Sequence, residues 1–504
     1  MGEASQPRVV LGGLSILGAS LAFAASLAAQ EPGRLTLEPY TLRSYDGRSE
    51  VAELGKLSVP ESRDSVNGGG VTLAFIRLRS TSPAPGPPIV FLMGGPGIPA
   101  SVMAPIPPYW QLFQRLRIAG DVILLDQRGV GLSSPQLDCP PAPQPLDSAL
   151  FSSRAALVAA FRNVYASCAA YWRAHGVHPR AYSVAASADD IEDLRRALGA
   201  ERVSLLGFSY GTRLALEFAR RHPSRLDRLV LQGPEDPDLR YRSSLTLDSL
   251  LGRLAELAAV DSSSSSFSAG LRGRLAALLD SLARTPAVVR VRTPAGDSLT
   301  VAVGREGLQA LVAERVGDRS LPALIATLER GDTRLLAERV QAVYGAIAAG
   351  GGSLMGRAAD CSAPPSEARV ARTDTESGRS ILGLLYDNAV VTRGFCEALG
   401  LAGQPSSAGP RRASTVRVPA LVIVGQLDSQ TPVGNAQVIA GALRGSVRLV
   451  VENGEHELLT DSVVQAAVLD FLAGRDVSGR RLRVGAPRFL SIEQALNPPR
   501  RRGP

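Results

Sequence analysis

Ser209 stands in Gly207-Phe208-Ser209-Tyr210-Gly211, a G-x-S-x-G arrangement. Val203, Leu205 and Leu206 before it read as a short buried strand, and Leu214, Leu216, Phe218 and Ala219 after it fit one face of a helix. A chain that turns sharply from strand to helix needs small residues at the crowded flanks, and the turn leaves the serine hydroxyl exposed at its apex. A hydroxyl is a poor nucleophile at neutral pH. It needs a base within hydrogen-bond reach, and the base needs an orienting acid. The chain has four histidines, His175, His178, His222 and His456. His222 falls at the far end of the helix that starts at Ser209, ~20 Å away at 1.5 Å per residue. His175 and His178 precede the serine in a polar stretch. Strand-turn-helix nucleophiles of this kind run Ser, then acid, then His. His456, in Asn453-Gly454-Glu455-His456 after the strand Val447–Val451, is therefore the expected base. Asp428, which ends the apolar run "ALVIVGQLD", is the expected acid.

Acyl transfer also requires donors for the tetrahedral oxyanion, usually two backbone N–H groups, each worth ~3 kcal/mol of transition-state stabilisation. Tyr210, following the nucleophile, is one candidate. The glycine loop Met93–Gly97 ("MGGPG"), after the buried run Ile89–Met93, offers the other: Gly95 first, Gly94 next.

These residues need a frame. Runs around Gly55–Pro60 and Val71–Ser80 predict an antiparallel pair. Ile89–Met93, Val122–Leu125, Val203–Leu206 and Leu229–Gln232 predict buried strands, most of them ending in unusual polar or glycine-rich loops. A helix with Ser187 as N-cap and Asp189 and Asp190 in its first turn precedes the nucleophile strand. Strands alternating with helices describe a mostly parallel α/β sheet. The pattern breaks at about Pro237, and residues 237–412 read as helices with loops, including 245–260, 270–282, 308–316 and 321–328. The serine run 262–266 reads as a flexible surface loop. Strand signals resume at Val416, and a helix is expected over 461–472.

The 504 residues are 45% hydrophobic and only 5% aromatic, with a net charge of +8. The basic residues, all arginine except Lys56, are dispersed, so a nucleic-acid partner is not expected. No Walker loop, dinucleotide fingerprint or H-E-x-x-H pattern is present, so neither cofactor nor metal is expected. Arg8 precedes an apolar, small-residue stretch to Ala29 that reads as a secretory signal, with an uncleaved membrane anchor as the alternative. Export, periplasmic or extracellular, makes two disulfides the expected state of the four cysteines. The sequence-local pairing is Cys139–Cys168 and Cys361–Cys396, each closing a loop of about 30 residues worth roughly 3–4 kcal/mol. Four buried free thiols are the alternative.

"GFSYGT", "GGPG", "DQRGVGLSS" and "GQLDSQTP", in that order along most of the chain, resemble the proline iminopeptidase and secreted tripeptidyl aminopeptidase group of the α/β-hydrolase fold. The resemblance implies a helical cap inserted after the sixth strand, with Ser209, Asp428 and His456 as triad. Met93 departs from the His or Asn usual before Gly-Gly-Pro-Gly, and "NGEH" departs from a glycine-flanked histidine. The resulting division is signal 1–29, core 30–236, cap 237–412, core 413–484 and tail 485–504. The expected function is an aminopeptidase acting on peptides, with Glu235 and Asp236, where the insertion starts, as carboxylates for the substrate ammonium. A carboxylesterase on small esters and a non-catalytic hydrolase-fold binding protein are the alternatives.

Overall fold

The computed structural model describes residues 33–64, 69–236, 242–385, 389–402 and 416–497. The expected signal segment lies outside them. Strands β1 (Leu35–Arg43), β2 (Ser49–Pro60), β3 (Gly70–Leu78), β4 (Gly86–Leu92), β5 (Gly120–Asp126), β6 (Val203–Phe208) and β7 (Leu226–Gln232) form the first part of the core. The hairpin β8 (Ala287–Arg292) and β9 (Ser298–Val303) follows, and then β10 (Ala420–Gly425), β11 (Val447–Glu452) and β12 (Leu482–Arg483). The main sheet runs β1-β2-β3-β5-β4-β6-β7-β10-β11-β12. It is antiparallel from β1 to β5 and parallel from β5 onward. Every residue of β6 and β10 is buried, which explains their unbroken apolar runs: helices cover both faces of a parallel sheet. In β4 the period of two sends Val90 and Leu92 to one core and Ile89 and Phe91 to the other. The first core is shared with helices Val184–Ala197 and Tyr210–Arg221, the second with Pro107–Leu116 and Ser462–Leu472.

The chain leaves the sheet after β7 and re-enters at β10. Counted along this chain β7 is the seventh strand. The described part of the insertion contains helices Ser244–Val260, Leu271–Arg284, Arg305–Glu314, Leu321–Leu328, Arg334–Ala348 and Leu354–Cys361. It also holds the antiparallel hairpin β8–β9, which the helical reading missed. Alternating valines on either side of Thr293–Asp297 carried that signal, and Val289, Val291, Val301 and Val303 are buried.

Within residues 30–236, read as core, helix Arg154–Ala174 packs against cap helix Ala389–Ala398, with Tyr165 and Phe395 rings 5.1 Å apart edge to face. Three further expectations are corrected. The serine run is no loose loop: Ser264 is buried and its hydroxyl donates to Ala258 O at 2.7 Å. Ser183, not Ser187, caps helix Val184–Ala197, accepting from Ala186 N at 3.1 Å. The apolar face already begins at Val184, so Ser187 lies buried inside the helix. The segment after β12 is not detached, since Leu490 N donates to Arg319 O of the cap at 3.0 Å. Both disulfides pair as expected, Cys139–Cys168 and Cys361–Cys396.

Candidate active site

Ser209 sits between β6 and helix Tyr210–Arg221 with φ +54° and ψ −123°, a sparsely populated backbone state held by its surroundings. Its N–H donates to Gln232 O at 2.9 Å, and its carbonyl accepts from Thr212 Oγ1 at 2.6 Å. The flanking glycines are demanded by contact. A Cβ on Gly211 would lie 1.9 Å from Leu92 O, and one on Gly207 would lie 2.7 Å from Gly211 O.

His456 Nε2 lies 3.0 Å from Ser209 Oγ. Its Nδ1 lies 3.0 and 2.9 Å from the two Asp428 oxygens. An ionised carboxylate only accepts, so Nδ1 carries the proton and Nε2 is left to accept from the serine hydroxyl. The structure thus brings together the three side chains expected from sequence. It keeps the other histidines elsewhere: His222 pairs with Asp189 at 2.9 Å at the end of its helix, and His175 ends helix Arg154–Ala174.

Asp428 is fully enclosed. It accepts from Gln430 N (2.8 Å), Thr431 N (2.7 Å) and Thr431 Oγ1 (2.8 Å), in addition to the imidazole. Thr431, which also stands 3.4 Å from His456 Nδ1, was given no role from sequence. Its signal was the position three residues after a strand-end aspartate, where a hydroxyl can reach back to the carboxylate. Gln232, another missed residue, donates from Nε2 to His456 O at 2.8 Å. Burial of the ring works against a charged imidazole. The Asp428 carboxylate, joined by Glu457 and Glu235, outweighs it and holds His456 above its ordinary value.

In the glycine loop it is Gly94, rather than Gly95, that lies against Ser209. A Cβ on Gly94 would fall 2.9 Å from Ser209 Cβ and 3.4 Å from its Oγ, whereas one on Gly95 would meet Gly97 N and Ile98 of its own loop. Gly95 has φ +116° and serves the turn itself. Tyr210 opens the nucleophile helix, so its N–H is among those left without an intrahelical acceptor.

Glu235 and Asp236 are both buried. Glu235 N donates to Thr212 Oγ1 at 2.8 Å, and Glu235 Oε1 lies 3.4 Å from Arg213 Nη1. Arg213 also faces Asp360 of the cap at 3.4 Å and stacks over Tyr210 at 4.7 Å. No cluster of metal-ligating side chains occurs among the described residues.

Residues 87–462 match the family model for the alpha/beta hydrolase fold, and the chain belongs to that family. It is similar to YuaR of Escherichia coli K12, 31% identical over 172 residues that cover 33% of this chain and 32% of that protein. It is also similar to the serine protease Hip1 of Mycobacterium tuberculosis H37Rv, 28% identical over 192 residues, 36% of each chain. These matches span only about a third of either relative's length. Among solved structures, an esterase from Thermogutta terrifontis aligns over 83% of this chain and 98% of its own at 16% identity, with a TM-score of 0.36.

Proposed function

We propose that the protein is an exported serine hydrolase that releases N-terminal residues or short peptides through an acyl-enzyme on Ser209. The observation that carries this reading is the unbroken line Ser209–His456–Asp428 at the carboxyl ends of β6, β11 and β10, parallel strands of one sheet with β7 between β6 and β10. In the proposed cycle His456 takes the serine proton as Oγ attacks the scissile carbonyl. The N–H groups of Tyr210 and Gly94 hold the oxyanion, and the imidazolium then protonates the leaving amine. A water molecule, deprotonated by the same ring, frees the acyl group. Asp428 keeps the proton on Nδ1 throughout.

The peptidase reading draws on the partial likeness to a serine protease and on acids at the cap junction. Glu235 Oε1 accepts no hydrogen bond among the described residues. A buried carboxylate left in that state favours a charged donor. Glu235, with Asp236 beside it, is the proposed anchor for a substrate ammonium, and Arg213 fixes its orientation. Export is supported by the two disulfides. No helix among the described residues is long and apolar enough to cross a membrane.

The test is a panel of free and N-blocked aminoacyl and tripeptidyl arylamides beside simple esters. The proposal expects N-blocking to reduce kcat/KM at least tenfold. Equal rates on blocked and free substrates, or turnover of esters alone, would replace it with a carboxylesterase.

A further inference from the structure

Glu457 directly follows the proposed base and takes no part in the cycle above. One of its oxygens accepts from Leu459 N at 2.8 Å, fixing the turn that leaves His456. The other accepts the hydroxyl of Tyr109, which arrives from a separate element, helix Pro107–Leu116. Tyr109 is only 4% exposed. Its ring lies 6.3 Å from Phe91 and 5.9 Å from Phe113 in an apolar cluster. A phenol buried there requires an acceptor, and Glu457 is the one supplied. Phe91 lies on β4, two residues before Met93 and the glycine loop. The Tyr109–Glu457 contact therefore ties the loop that carries the base to the elements that carry the proposed oxyanion donor.

We infer that Glu457, held by Tyr109, is a positioning residue for His456: it fixes the imidazole loop and supplies a second negative charge toward the imidazolium formed during attack. The inference rests on the reading of His456 as the base. The acids whose charge acts on the imidazole are Asp428 from the loop after β10, Glu457 on its own loop and Glu235 from the segment after β7. Glu455, also on that loop, is engaged at 3.3 Å by Arg319 of the cap. Burial holds the Glu457 carboxyl above its ordinary value, and the Tyr109 hydroxyl, the Leu459 and Thr460 N–H groups and the His456 charge offset that rise only in part. Charge on Glu457 thus depends on the phenol that donates to it.

Two substitutions separate charge from shape. Glu457→Gln keeps an acceptor for the phenol and removes the charge. Tyr109→Phe keeps the carboxyl and removes the donor that favours its ionisation. Each makes the imidazolium less favourable, so the acidic limb of kcat/KM moves to lower pH, on the order of half a unit. A purely structural role would lower the plateau or the Tm and leave that limb in place. The imidazole is titrated in parallel by NMR in the Ser209→Ala background, where no turnover is required. A downward shift in the NMR titration of both variants supports the inference; an unmoved titration in Glu457→Gln overturns it, and that arm decides alone if Tyr109→Phe does not fold. Because the NMR titration does not depend on catalysis, its result is distinct from failure of the triad reading, which would appear as hydrolysis surviving Ser209→Ala.

Discussion

The strand-end loops of the sheet and the acids at the cap junction handle polar groups in opposite ways. Asp428 has three donors from its own loop besides the imidazole, and Ser209 is fixed at both its N–H and its carbonyl. At the junction, Arg213 Nη1 and Glu235 Oε1 face each other at 3.4 Å, too long or too bent for a hydrogen bond. The first region spends its donors on a single geometry, as proton transfer demands. The second leaves buried capacity for a further charged group. Under the proposed function, the sheet fixes the chemistry and the contact of core with cap supplies recognition.

The largest test of this division is Ser209→Ala. It should lower kcat on any substrate by at least about 10⁴-fold with the melting temperature nearly unchanged; surviving turnover would remove the nucleophile. Next comes Thr431→Val, which deletes a donor to Asp428 and leaves the three triad members in place. The expected loss is about tenfold in kcat, one hydrogen bond to a charged group, with KM little changed. A rise in KM alone would move Thr431 to the recognition side. Glu235→Gln should act in the opposite sense. KM for free-amine substrates should rise about five- to tenfold, kcat should hold within about threefold, and N-blocked substrates should not respond. A loss common to both substrate types would make Glu235 a structural partner of Arg213 only.

Much of the site was legible because each part has a local signature. A glycine-flanked serine between strand and helix, a strand-end aspartate and the one histidine after it are properties of short segments, and the buried parallel strands announced themselves as apolar runs. The sequence-local cysteine pairing also held. Gly94 over Gly95 was not legible, since the two glycines differ only in how close a neighbouring strand's loop passes. The serine run 262–266 reads as soft by composition, yet a hydroxyl that finds Ala258 O can be buried.

Local patterning alone determined the alternation of strands and helices, the elbow at Ser209 and the order of the three reactive side chains, because backbone sterics and hydrophobic period act over a few residues. Tertiary structure decided which glycine meets Ser209, that Thr431 and Gln232 brace the loops of Asp428 and His456, that Glu235 shares Arg213 with the cap, and that Glu457 meets Tyr109. Apart from the local Thr431–Asp428 bonds, those contacts join segments far apart in the chain, and their strength depends on distance and desolvation, which only the packed molecule sets.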